Sequence, residues 1–344
     1  DAAVRLTRAL QHLDDPQRAR FNLANRVFYE TGEDDPAAAA QRTALLFPGF
    51  GAWHPSLVAD LDRHFASVHT WIAGLEPETR RSITDTPHLF PRAANATASQ
   101  DPAMAFAALM GAVLAGDLAL YKVLHEVCGL QAGALVGHSY GENAMLLASG
   151  MVDDYRFIAG LVRRLTAAMG RVYQSRRATI TDGALLALPA AAYAALDPAA
   201  RDAVHLALDN CPQQAVVFGA PAAIDAIAAQ MQAQGVAAFR LPTLDQPVHT
   251  PRFPIAPADL RAVYAGLAIA APQGRATAYS CTTAAPFPRA PEAVRDLLSA
   301  QWYQPVRFRE TIAQLAADGV RTFVEVGPGG RLTGFVRDIL LRGA

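Results

Sequence analysis

Residues 132–150 read AGALVGHSYGENAMLLASG: a short apolar run, a serine between two glycines, then a helical pattern. Few local geometries accept this order. A continuous run of small apolar residues is the signature of a strand buried on both faces. The two glycines permit an abrupt backbone reversal, and Ala144, Met145 and Leu147 fall at helical spacing. A buried strand that turns sharply into a helix implies an α/β arrangement built on a parallel sheet. Gly137-His138-Ser139-Tyr140-Gly141 also fits G-x-S-x-G, the nucleophile elbow. In that geometry the serine hydroxyl is exposed at a strained turn. The next amide and the helix N-terminus can then stabilise an oxyanion. The competing reading is a polar turn with no chemistry.

The rest of the chain fits this frame. ALLFPGFG (44–51) reads as a second buried strand running into a Pro- and Gly-broken loop. AMAFAALMGAVLAG (103–116) is apolar over less than the roughly 20 residues a bilayer span needs and is followed by Asp117, Lys122 and Glu126, so it reads as a core helix. From GALLALP through VAAFRLPTL the rhythm changes to strand, helix, strand, strand, helix, strand, which is the ferredoxin-like βαββαβ pattern. FRETIAQLAADG, RTFVEVG, the loop PGG and RLTGFVRDIL then return to helix and strand. The expected organisation is a large α/β subdomain from 43–178 and 243–344, with a ferredoxin-like subdomain inserted at 179–242. Residues 1–42, with helical spacing in VRLTRALQHL, read as a helical extension or linker.

Composition narrows the function classes. The chain is 52% hydrophobic and 18% charged with a formal net charge of −1, which fits a globular protein and gives no electrostatic case for nucleic acid or an anionic membrane. Cys128, Cys211 and Cys281 form neither a metal spacing nor a disulfide framework, as expected for a reducing, cytoplasmic setting. An Asn95-Ala-Thr97 triplet fits the glycosylation sequon, but nothing else suggests secretion.

A serine nucleophile needs a base. His12, His64 and His69 lie in polar helical stretches, His88 and His125 have no partner in view, and His205 lies in the small subdomain. His138 is expected to leave the elbow in another direction, in a structural role. His54, near the FPGFG loop, and His249, on the Pro-bounded loop QPVHTPRF, remain as candidates. Asp209 and Asp245 lie between serine and histidine in chain order, but neither stands out as a third member.

Several stretches together resemble the family of malonyl-CoA:acyl carrier protein transacylases and polyketide synthase acyltransferase domains. FPGFG (47–51) is similar to its FPGQG, and GHSYGE (137–142) to its GHSxGE, with Gly150 at the expected offset. NCPQQAVVFG (210–219) resembles its Asn-x-Pro-x-Gln segment, and PVHTP the segment carrying the catalytic histidine. QWYQPVRFRETI and FVEVGPGGRLTGF are close to its C-terminal signatures. The matches run in order from Thr43 to the end. The resemblance implies an α/β-hydrolase-like large subdomain and an acyltransferase with Ser139 as nucleophile, His249 as base and a backbone carbonyl orienting the histidine. It places the oxyanion hole at the main-chain amides of Phe50 and Tyr140, and Arg164, Val248 and Asn210 at the substrate. It implies no bound cofactor or metal, acyl-CoA as donor, and the phosphopantetheine thiol of an acyl carrier protein as acceptor, with neighbouring synthase domains as partners. An arginine binding the substrate carboxylate falls at Arg164 when counted without gaps, so the acyl group the resemblance implies is malonyl-type. With one extra residue in the helix, Leu165 falls there instead, which implies a neutral acyl group. Water in place of the thiol would make the chain a thioester hydrolase. Phe50 replaces the family's glutamine, and Val248 matches neither common specificity residue.

Overall fold

The structure, a computed structural model, describes residues 20–23, 27–30, 35–80 except 51, 53, 55, 76, 78 and 79, then 102–152, 160, 164, 165, 167, 168, 170, 183–241, 247–272 and 276–342. It contains two compact units, residues 1–39 and 40–344. In the first, β1 (Arg20–Leu23) and β2 (Val27–Glu30) pair antiparallel, with Arg20 opposite Glu30. This corrects the helical expectation for that stretch: Val27, Phe28 and Tyr29 are β-branched or aromatic and favour a pleated strand. The VRLTRALQHL segment lies outside the described residues, as do His12, His88 and the Asn95 triplet. A helix, α1 (Pro36–Gln41), follows.

The second unit is built around β3 (Thr43–Phe47), whose five residues are all buried. Alternate side chains serve two cores. Leu45 and Phe47 enter one apolar cluster, and Ala44 and Leu46 enter the other. That double burial is why the run is continuously apolar. Helices α2 (Leu57–His64) and α3 (Ala66–Ala73) precede α4 (Pro102–Lys122), whose Val113, Leu114 and Ala115 are buried. No helix among the described residues is long and apolar enough to cross a membrane. Next come β4 (Ala134–Gly137) and α5 (Gly141–Ala148).

A second, four-stranded antiparallel sheet contains β5 (Ala184–Leu188), β6 (Val204–Cys211), β7 (Gln214–Gly219) and β8 (Phe239–Arg240), in the order β6-β7-β5-β8. Helices α6 (Ala190–Ala194) and α7 (Pro198–Asp202) link β5 to β6, and α8 (Pro221–Ala233) links β7 to β8. Ile224, Ile227 and Met231 of α8 pack against Leu186 and Val217 in a core of their own. The βαββαβ rhythm of the sequence thus appears as one sheet with its own hydrophobic centre.

The chain then returns through α9 (Pro257–Tyr264), β9 (Thr277–Ser280), β10 (Ala285–Pro286), α10 (Pro291–Ala300), α11 (Phe308–Ala317), β11 (Thr322–Glu325) and α12 (Arg331–Arg342). The main sheet has the order β10-β9-β4-β3-β11, parallel except for β10 at its edge. Phe47 pairs with Gly137, and Gly137 with Ser280, so β3, β4 and β9 end level with one another. In open parallel sheets ligands bind outside those carboxyl ends. The second sheet is tied to this unit by Val306, whose amide donates to Ala207 O at 2.9 Å and whose carbonyl accepts from Asp209 N at 2.8 Å.

Candidate active site

Strand β4 delivers the chain into a turn in which Ser139 has φ 58°, a left-handed conformation that costs a residue with a Cβ. Close backbone packing holds it there. A Cβ on Gly137 would lie 2.3 Å from Glu142 Cα, and one on Gly141 would lie 2.1 Å from Phe47 O. Gly49, in the neighbouring loop, passes so near that its Cβ would be 2.7 Å from His138 O. Three glycines therefore let the elbow and the Pro48–Phe50 loop touch, with His138 N donating to Phe47 O at 2.9 Å.

Ser139 Oγ lies 2.6 Å from His249 Nε2. On the other side of the ring, His249 Nδ1 is 2.5 Å from Gln301 O. A carbonyl only accepts, so Nδ1 carries the proton and Nε2 is left to accept from the serine hydroxyl. His249 itself has φ 64°, fixed by its amide donating to Trp302 O at 2.8 Å and by Thr250 Oγ1 donating to Pro247 O at 2.7 Å. His249 is thus clamped to the turn after α10 through both main chain and ring. Of the two candidate bases, the structure brings His249 to the serine. His54 is exposed and its ring meets Ser56.

Burial pushes the His249 imidazole down from 6.5 to about 4, against the opposing pull of the Gln301 carbonyl. It is neutral at pH 7, the state in which Nε2 can accept a proton. Acylation rates should therefore stay flat down to about pH 5 and fall only as the ring protonates near pH 4. A pH profile of single-turnover acylation with an acid limb near the ordinary histidine value of 6.5 would contradict this picture.

His138 points away from the dyad. Its Nε2 lies 2.7 Å from Asn210 Oδ1 on β6, and Asn210 Nδ2 donates to Gln214 Oε1 at 2.8 Å. Asn210, expected at the substrate, thus uses both ends of its amide in a buried link between the elbow and the second sheet. Burial also lowers His138 to about 4, so its neutral ring donates to the asparagine carbonyl. Two further contributors were visible only through the resemblance, Glu142 as the last letter of GHSYGE and a main-chain carbonyl, with no role read for the glutamate. Glu142, in the first turn of α5, is 1% exposed, and its Oε1 accepts from Ser280 Oγ at 2.7 Å and Cys281 N at 2.9 Å. It ties the elbow helix to the end of β9. Burial raises its carboxyl from 4.5 to about 8, despite these hydrogen bonds. The acceptor at Gln301 is a backbone atom. Its only sequence pointer was the resemblance, which implied a carbonyl in that role.

The remaining expected residues fall around this core. Phe50 stacks on Tyr140, with centroids 5.0 Å apart and planes within 8°. Tyr140 meets Trp302 edge-on at 6.4 Å, and Trp302 stacks on Phe253 at 5.2 Å. Val248 is half-buried against the same apolar cluster. Arg164 is exposed, and its Nε donates to Val263 O at 2.9 Å, whereas its neighbour Leu165 is fully buried in the cluster with Tyr140 and Trp302. Among the described residues, no group of three or more His, Cys, Asp or Glu side chains is placed to hold a metal ion.

The sequence profile of the acyl transferase domain matches residues 93–341. The chain belongs to that family. This acyltransferase domain is 28% identical over 306 residues to the malonyl CoA-acyl carrier protein transacylase of Escherichia coli K12, covering 86% of the chain and 92% of that relative. It is 33% identical over 215 residues to the 5-methyl-1-naphthoate synthase of Streptomyces sahachiroi, an alignment covering 61% of the chain and 11% of that longer protein. Against the polyketide synthase GfsA of Streptomyces halstedii it spans only 3% of the relative's length. Among solved structures it is similar to an acyl carrier protein S-malonyltransferase from Vibrio cholerae, with TM-score 0.70 and 26% identity over 88% of this chain and 94% of that one. The two-subdomain acyltransferase architecture expected from the sequence is the one observed.

Proposed function

We propose that the domain moves an acyl group from CoA to the phosphopantetheine thiol of an acyl carrier protein through an ester on Ser139. The observation that carries this reading is the chain of contacts from Ser139 Oγ to His249 Nε2 at 2.6 Å and from His249 Nδ1 to Gln301 O at 2.5 Å. The hydroxyl attacks the thioester carbonyl carbon as its proton passes to Nε2. The oxyanion that forms is met by the main-chain N–H groups of Tyr140, at the threshold of α5, and Phe50. The C–S bond then breaks and the CoA thiolate takes the proton from His249. In the second half the acceptor thiol gives its proton to Nε2, attacks the seryl ester, and Ser139 Oγ recovers the proton. Donor and acceptor use the same histidine in turn, so the kinetic form is ping-pong. No step requires a bound metal or cofactor.

The experiment is intact-mass spectrometry of the chain with a panel of acyl-CoAs, followed by addition of a holo carrier protein. The expected result is a single acyl adduct on Ser139 that disappears as the carrier gains the same mass. Release of free acid at the same rate with and without carrier would instead make the protein a thioester hydrolase.

A further inference from the structure

The site's chemistry separates two kinds of acyl group: those that end in a carboxylate and those that do not. A carboxylate brought into an apolar chamber must be met by a cation or by several donors, because its lost hydration is otherwise uncompensated. The described side chains gathered around the dyad are mainly aromatic, with one buried hydroxyl, that of Tyr140, among them. Phe50 and Tyr140 stack face to face, Tyr140 meets Trp302 edge-on, and Trp302 stacks on Phe253. The one polar atom of Trp302, Nε1, is spent on Tyr264 Oη at 2.9 Å.

Among the described residues, the two arginines nearest in sequence to these groups are exposed. Arg164 and Leu165 are consecutive residues of one helical stretch, and a step of one residue rotates a helical side chain by about 100°. Leu165 is the one turned inward, with 0% exposure, in the cluster that holds Tyr140 and Trp302. Arg164 is exposed and its Nε donates to Val263 O, near the C-terminus of α9. A cation at that end satisfies one of the helix's unpaired carbonyls and complements its dipole. Arg252, three residues past the base, is also exposed. The two histidines at the elbow are held neutral by burial, so neither supplies a positive charge at pH 7.

We infer that the acyl group accepted at Ser139 is uncharged, an apolar acyl chain without a free carboxylate, and that the inward position of Leu165 in place of Arg164 sets this preference. The inference rests on the acyl-transfer reading above. It makes Arg164 a helix-capping residue, and it accounts for a large apolar ring at Phe50.

The test is single-turnover loading of Ser139 from matched donors: acetyl-CoA against malonyl-CoA, and propionyl-CoA against methylmalonyl-CoA. The neutral member of each pair should load at least about tenfold faster, a difference of about 1.4 kcal/mol in barrier. Arg164→Gln and Arg252→Gln should leave that ratio unchanged. Faster or equal loading by the carboxylated member, or its selective loss in either arginine variant, overturns the inference while the acyl-transfer reading stands. Loading by no donor of either kind removes the acyl-transfer reading and this inference together.

Discussion

Ser139→Ala is expected to abolish acyl-enzyme formation, with no adduct in the intact mass and transfer to the carrier reduced by at least about 10⁴-fold. His249→Ala should cost nearly as much. In the proposed mechanism the two groups act as one unit, because a serine hydroxyl is a poor nucleophile until a base, here Nε2 at 2.6 Å, takes its proton. For the same reason the double variant should be little worse than either single one. Both side chains are buried and the serine is small, so Ser139→Ala should fold with an unchanged melting temperature. A variant lacking Ser139 that still carried a base-labile acyl group would place the nucleophile elsewhere.

The second large effect is structural. Gly137→Ala would set a Cβ 2.3 Å from Glu142 Cα and 2.4 Å from Glu142 N, contacts with backbone that no rotamer change relieves. To accommodate the methyl, the elbow must open, which moves Ser139 and draws Glu142 from Ser280 and Cys281. Overpacking against main chain together with a disturbed buried carboxyl should lower stability by about 3–5 kcal/mol. Thermal unfolding should register a fall on the order of 10 °C. Gly111→Ala in α4 is the matched control, since nothing lies within 4 Å of its Cβ position. That variant should be neutral or gain up to about 1 kcal/mol from helix propensity. Equal melting temperatures for the two variants would refute the close-approach account of Gly137.

Much of this architecture was legible because it is written locally. β3 and β4 announced themselves as apolar runs bounded by glycine and proline, and α8 by Ile224, Ile227 and Met231 on one face. The elbow was legible because a pentapeptide carries its whole geometry. Long-range partners were another matter. His138 was set apart from the dyad by its position next to Ser139, but its link to Asn210 joins residues 72 apart. The choice between Arg164 and Leu165 was beyond spacing alone, since a one-residue slip in a helix moves a side chain to another face. Burial distinguishes the two residues, because only a folded core shows which one it encloses. The strands at Arg20–Leu23 and Val27–Glu30 were hidden by an Arg-, Gln- and Ala-rich neighbourhood that suggested helix.

The three parts of the contact chain come from three distant stretches: the hydroxyl at 139, the imidazole at 249 and the carbonyl at 301. The strand that completes the main sheet beside β3, β11, comes later still. The tautomer of the ring at 249 therefore depends on main chain 52 residues further on, where the acceptor is a backbone atom that no side-chain substitution removes.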